Sequence, residues 1–218
     1  MAPLRWKLLP LVLLTIPYGL LRVSNLAEAG TNSKPGIRQF VDQSKLPIEL
    51  ELSTLLDEPL AYLGQRVSFV VQFDAQVEKW NPLMSRFSHS QWGSFSAWSD
   101  DKFTWLQGAY EQPYARLYFP KSGLAERLVE HARRFERFQV TATVRELLLD
   151  EPYIEVEHLK PLFELIDEGT INHVSRGITF AKHGKLRLAK QQFERARTAP
   201  VPARARTEIE RLIALCNK

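Results

Sequence analysis

Val67, Phe69, Val71 and Phe73 take every second position of the segment 66–73, with Ser68, Val70 and Gln72 between them. A period of two is the repeat of an extended strand, whose successive side chains point to opposite faces, so this segment lays one apolar face on a core. The same period returns at Ala115, Leu117 and Phe119, where Pro120 ends it, and again at Phe138, Val140, Ala142 and Val144. Ile154 and Val156 follow the turn residues Asp150, Glu151 and Pro152 and predict a last strand. Between the second and third runs the spacing becomes helical, with Leu124, Leu128, Val129, Ala132 and Phe135 on one side. Residues 80–114 must hold one more strand, around 93–98 or 103–105. Ahead of the first strand, Leu52, Leu55, Leu56, Leu60 and Leu63 recur at near-helical spacing and Pro59 forces a break.

Three strands, a helix and two strands is the order of an OB-fold, a five-stranded Greek-key barrel with a helix between its third and fourth strands. Residues 56–162 resemble such a domain. Gly64, Gln65 and Arg66 open the first strand, Tyr118, Phe119 and Pro120 close the third, and Glu151, Pro152, Tyr153 and Ile154 turn into the fifth.

Beyond residue 170 the pattern is helical. Gly177, Phe180, Gly184, Leu186, Ala189, Phe193 and Ala196 follow the small, aromatic, small, bulky, small, aromatic, small register of a tetratricopeptide repeat, which this segment resembles. The resemblance implies two antiparallel helices, brought close at Gly177 and Ala189 and turned at Gly184. His173 stands where the family has an aromatic residue, and the closing proline is displaced, since Val201 separates Pro200 from Pro202. A third helix, residues 203–216, turns Ile209, Leu212, Ile213 and Cys216 inward. Only about one and a half repeats are present where three are usual, so the module must lean on the barrel, a partner or a second copy. The expected fold is therefore an OB-like β barrel plus a C-terminal tetratricopeptide-like hairpin and third helix, with the barrel domain at 46–166 and the helices at 170–218.

Arg5 and Lys7 precede an apolar run at 8–16, and Ala27, Glu28 and Ala29 supply small residues for cleavage. Residues 1–29 thus read as a secretory signal peptide or, if retained, an N-terminal anchor; Pro10 and Pro17 weaken the anchor. Residues 30–45 read as a linker. The expected location is the periplasm or cell envelope, with membrane contact only through an uncleaved N-terminus. Cys216 is the one cysteine, which excludes an intrachain disulfide. Residues 30–169 carry 15 Lys and Arg against 21 Asp and Glu, net −6, and residues 170–218 carry 11 against 3, net +8.

Trp80, Trp92, Trp98 and Trp105 fall within 26 residues, with Phe87, Phe95 and Phe103 among them and Tyr110 and Tyr114 just beyond. In an OB-like barrel such rings either fill the core and seal a long loop or line a ligand groove, for which Trp92, Trp98, Trp105 and Tyr110 are the candidates. The acidic balance of this region argues against nucleic acid and leaves oligosaccharide as the groove's alternative ligand. Lys182, Lys185, Arg187, Lys190 and Arg197 are candidates for contacting a protein or peptide partner, an anionic lipid surface or the acidic barrel of the same chain. His89 among Ser88, Ser90, Ser94, Ser96 and Ser99, with Asp100 nearby, lacks a Gly-flanked nucleophile elbow. Glu155 and Glu157, with His158 beyond, read as a solvated strand face. The five histidines show no metal-ligand spacing, and no phosphate loop or dinucleotide fingerprint occurs, so no catalytic residue, metal or cofactor is implied. The resemblance to the tetratricopeptide register, with no catalytic constellation beside it, implies a non-catalytic extracytoplasmic binding protein whose partner is a protein or peptide.

Overall fold

The computed structural model describes residues 46–81 and 85–217; residues 1–29, expected to be a signal peptide or anchor, and the expected linker at 30–45 lie outside the described residues. Six strands occur among them: β1 (Ile48–Glu49), β2 (Arg66–Gln76), β3 (Trp92–Ser99), β4 (Tyr114–Pro120), β5 (Arg137–Leu148) and β6 (Glu151–Leu162). They run in the order β1-β2-β3-β4-β6-β5, and a second pairing of β2 with β5 closes the last five into a barrel. β4 and β6 are parallel, while the other barrel pairs are antiparallel. This is the OB-like arrangement expected from the sequence. β2 serves two neighbours because it is long: residues 66–72 pair with β5 and residues 71–76 with β3, across an irregularity between Phe73 and Ala75. Such a bulge bends the strand as closure requires.

Alternation fills the barrel. Val67, Phe69, Val71 and Phe73 meet Phe95, Leu117, Phe119, Phe138, Val140, Val144, Ile154 and Val156 inside. α1 (Leu52–Asp57) plugs one opening with Leu52 and Leu55, and Pro59 opens a short 3-10 turn (Pro59–Tyr62). α3 (Leu124–His131), between the third and fourth barrel strands, contributes Ala125 and Val129. The sequence did not announce β1, which is two residues long and lies outside the barrel, parallel to β2. The aromatic stretch supplies its strand at β3, and 103–105 is turn, followed by the short α2 (Gln107–Tyr110).

One helical expectation fails at its end. Phe135 does not continue α3, which stops at His131, and Leu124 is exposed rather than inward. Phe135 adopts φ +71, a left-handed conformation that costs a bulky residue energy. Its N–H donates to the Phe73 carbonyl at 2.7 Å and its ring is buried against Trp98, which hold it there.

The C-terminal helices are α4 (Glu168–Lys182), α5 (Leu186–Arg197) and α6 (Ala203–Leu215). Asp167 caps α4, accepting from the Thr170 N–H at 2.6 Å. Gly184 at φ +72 turns the chain into α5. Leu186, bulky in the repeat register, is 39% exposed. The described residues form one compact unit. Trp98, Trp105 and Phe135 from the barrel share an apolar cluster with Ile171, Val174, Phe193 and Ile209. The charge difference does not carry this contact: Arg204 with Glu51, at 3.5 Å and exposed, is the ion pair that crosses from the helices to the barrel among the described residues.

A Cβ on Gly177 would lie 2.3 Å from the Phe193 ring. Gly177→Ala should lower stability in urea denaturation by about 1–3 kcal/mol through overpacking, and Phe193→Leu should restore part of the loss.

Candidate functional site

The loop ends of the barrel carry two aromatic arrangements. The first covers the outer face where β4 meets β6. Leu117 and Ile154 point inward, so Tyr118 and Tyr153 point out, and their rings lie parallel at 5.8 Å. Phe87, from the loop after β2, stacks on Tyr118 at 4.3 Å, and Trp92 meets Phe87 edge-on at 4.8 Å. The Arg116 guanidinium lies 5.3 Å over Tyr153 and pairs with Glu151. Trp80, Tyr118, Tyr153 and Arg116 line a cleft of about 500 Å³ between this loop and the β5–β6 turn. That turn places Leu149 and Asp150 at positive φ, and Leu149 is 83% exposed. Burial pushes the Tyr118 phenol up to about 12.

The second arrangement lies between barrel and helices. Trp98 is buried, stacked on Phe135 at 5.3 Å and on Tyr110 at 5.5 Å, and its Nε1–H donates to the Tyr110 carbonyl at 3.0 Å. The Arg134 guanidinium sits about 5 Å from all three rings. Trp105 is buried against Phe103 at 4.5 Å, and its carbonyl accepts from the Ser175 hydroxyl of α4 at 3.0 Å. Trp98 and Trp105 therefore offer no ring face for stacking a ligand. Tyr110 and Trp92 are half-buried, and they lie on different clefts.

Beside this stack a groove of about 370 Å³ separates the 104–110 segment from α4. Half-buried Tyr110 stands on its apolar wall, with Trp105 and Phe135 reaching it only marginally at 4% exposure each. Its polar wall is a stripe on α4: Glu168, Asn172, Ser175, Thr179 and Lys182, each three or four residues from the next and so on one face. At 1.5 Å per residue, Glu168 and Lys182 stand about 21 Å apart along the helix. Ser175 and Thr179 spend their hydroxyls on the Trp105 and Ser175 carbonyls, while the exposed Asn172 amide has no partner among the described residues. Thr104 lines the groove, and its buried Oγ1 also lacks a hydrogen bond. The structure thus brings Trp105, Tyr110 and Lys182 to one groove. Lys185, Arg187 and Arg197 lie outside it on exposed helix surface, and Lys190 reaches Asn217 at 2.9 Å. Glu168 and Asn172 were missed in the sequence, though their spacing from Lys182 could have shown them.

The remaining candidates are engaged locally. The His89 ring lies 4.0 Å from Trp80, and Nε2 accepts the Trp80 N–H at 3.2 Å. Ser94 donates to the Ala115 carbonyl, Ser96 to Asp74 and Ser99 to Asp101. Among the described residues no serine hydroxyl meets a histidine nitrogen, and no group of three His, Cys, Asp or Glu side chains is placed to hold a metal. Glu155 pairs with Arg145 at 2.5 Å, and Glu157 with Arg66 at 2.7 Å and Thr143 at 2.6 Å, so that strand face is a ladder of cross-strand pairs. Among the described residues no helix is long and apolar enough to cross a membrane.

The fold is an OB-like barrel plus helices. No protein-family model matches the chain, and no curated protein matches it. Among solved structures, the crystal structure of a protein assigned as an aspartyl-tRNA synthetase from Leishmania major Friedlin is similar over 74% of this chain, at 10% identity and a TM-score of 0.37. This chain spans 34% of that chain, and a likeness at that score does not bear on function.

The Tyr118 phenol keeps its proton in the folded state at a pH where the unfolded chain releases it. Stability should therefore be unaffected by this group below pH 10 and fall as pH rises from about 10 to about 12. Urea unfolding across that range should show the fall, and Tyr118→Phe should flatten it. Some should remain, because burial also raises Tyr114.

Proposed function

We propose that the protein is a non-catalytic binding protein, and that the groove between α4 and the 104–110 segment takes an extended peptide segment of a protein partner. The observation that carries this reading is the composition of the groove. It has one apolar aromatic wall, one polar helical stripe with an unengaged Asn172 amide, and opposite charges at its two ends. Its volume is at the low end of clefts that hold small ligands, which suits a few side chains and their backbone. Glu168 and Lys182 also complement the α4 dipole, so their charges alone would say little; the stripe between them supports the reading. On it, the helices act as a single tetratricopeptide-type repeat braced by the barrel, and Arg5 and Lys7, the apolar run 8–16 and Ala27-Glu28-Ala29 support a location outside the cytoplasm.

A second reading rests on the outer-face cleft, where OB barrels present ligands between the first loop and the last hairpin. Exposed Leu149, half-buried Trp80 and the Arg116–Glu151 pair suit an oligosaccharide. Glu151 neutralises Arg116, which weakens any phosphate track.

Peptide arrays probed with the full chain test the first reading. Binding should be weakened roughly tenfold by Lys182→Glu, as expected when a charged contact of about 1.4 kcal/mol is lost, and reduced by Asn172→Ala, with Arg116→Ala unaffected. Peptide binding indifferent to both groove variants would sink it. Oligosaccharide binding lost in Arg116→Ala would favour the second reading.

A further inference from the structure

The turn joining α4 to α5 is cationic and uncovered. Every residue from 182 to 188 is exposed. A Cβ built on Gly184 would meet no atom within 4 Å, so no part of the described molecule lies over the turn. Lys182, Lys185, Arg187 and Lys190 fall within nine positions, and the 25 residues 169–193 contain no Asp or Glu. Lys190 reaches Glu194 at 4.0 Å, whereas Lys185 and Arg187 meet no acid among the described residues. Between these cations, Leu186 and Leu188 are 39% and 38% exposed.

Helix physics does not explain this placement. The N-terminus of a helix is its positive end, where acids stabilise and cations do not. α5 nevertheless opens with Lys185 and Arg187, has no acid in its first turn and has no side-chain cap. Its first residue is an exposed leucine rather than a capped polar one. A segment that breaks local rules for charge, capping and apolar exposure together points to a demand from outside the chain.

We propose that this turn docks on an anionic phospholipid surface, with Leu186 and Leu188 entering the headgroup layer and Lys185, Arg187 and Lys190 against the lipid phosphates. Every residue of the turn is exposed, so it offers a surface to lie on and no walls to enclose a peptide as the groove does. A folded acidic protein would need pits matched to two leucines, while a lipid surface yields to them. Basic residues close to an anionic leaflet add attraction that is lost with salt. This surface is separate from the peptide groove except at Lys182, so the test leaves Lys182 intact.

The experiment is vesicle co-sedimentation of the full chain, with equal parts phosphatidylglycerol and phosphatidylcholine in one set and phosphatidylcholine alone in the other. The N-terminal apolar run could bind both sets equally, so the readout is the difference between them. Wild type should favour the anionic vesicles by about tenfold or more, consistent with several cations at the surface. The double variant Lys185→Glu/Arg187→Glu should erase that preference, and Leu186→Ser/Leu188→Ser should reduce it severalfold. All positions are exposed, and circular dichroism spectra matching wild type should accompany both losses. Equal partitioning of wild type into both vesicle sets overturns the proposal. So does a preference retained in the charge-reversal variant, or a leucine variant that binds as wild type does, which would leave only a cationic patch open to any acidic macromolecule.

Discussion

Trp98 sits on the outer side of β3, where a barrel strand would ordinarily face water, and its burial joins the two halves of the molecule. Phe135 and Tyr110 close on its two faces, and its indole N–H is satisfied by the Tyr110 carbonyl. Removing such a side chain from water is worth about 2–3 kcal/mol, and stacked neighbours add to it. That gain holds Phe135 in a left-handed conformation that its own backbone disfavours. The consequence reaches the helices. Three short helices cannot bury their apolar faces alone, and the floor of Trp98, Trp105 and Phe135 supplies the surface that covers them.

Polar contacts fix the register of this junction. Arg137 on β5 forks onto Asp100 with bonds of 2.7 and 2.6 Å and donates to the Glu164 carbonyl at 3.1 Å, so strand, loop and interdomain connection share one guanidinium. Both partners are largely buried, where a planar bidentate pair is the arrangement that best offsets desolvation. Gln72, directly across the ladder from Arg137, is fully buried with neither side-chain polar atom hydrogen-bonded. Among the described residues it has no compensating partner. Charge complementarity between a net-negative barrel and net-positive helices therefore plays little part: the junction is an apolar stack held in register by one buried pair.

The barrel was legible in the sequence because closure demands one continuous inward face from each strand, and Val67 to Phe73, Leu117 to Phe119, Phe138 to Val144 and Ile154 to Val156 each write that face at period two. The helix-turn-helix was legible for a similar reason, since Gly177 must meet Phe193 and Gly184 must turn. Outward residues were not legible. Trp98 and Trp105 carry the same letters whether they line an open groove or a sealed one, and only the helices lying over them decide. Phe135 continued a helical spacing by coincidence, and nothing local reveals that its backbone reverses. The two-residue β1 is too short to write any period. The groove was half visible: Trp105, Tyr110 and Lys182 stood out as residue types, while Glu168 and Asn172 become notable only when α4 is known to turn that stripe toward the barrel.

The two proposed surfaces meet at one residue, and their geometry restricts how both could operate. Lys182 ends the stripe that lines the groove and begins the exposed turn. If the turn rests on lipid, α4 carries the groove from the surface toward Glu168, about 21 Å away along the helix. A bound segment would then place its acidic end nearest the cationic turn, where an anionic leaflet repels it, and Lys182 would be shared between the two. Ionic strength enters both terms, but unequally: the lipid contact uses several exposed cations and is strongly screened, whereas the groove contact uses one cation beside an aromatic wall. The two activities should therefore separate with salt, lipid docking weakening first while the groove, held open by the buried Trp98 stack, keeps its shape.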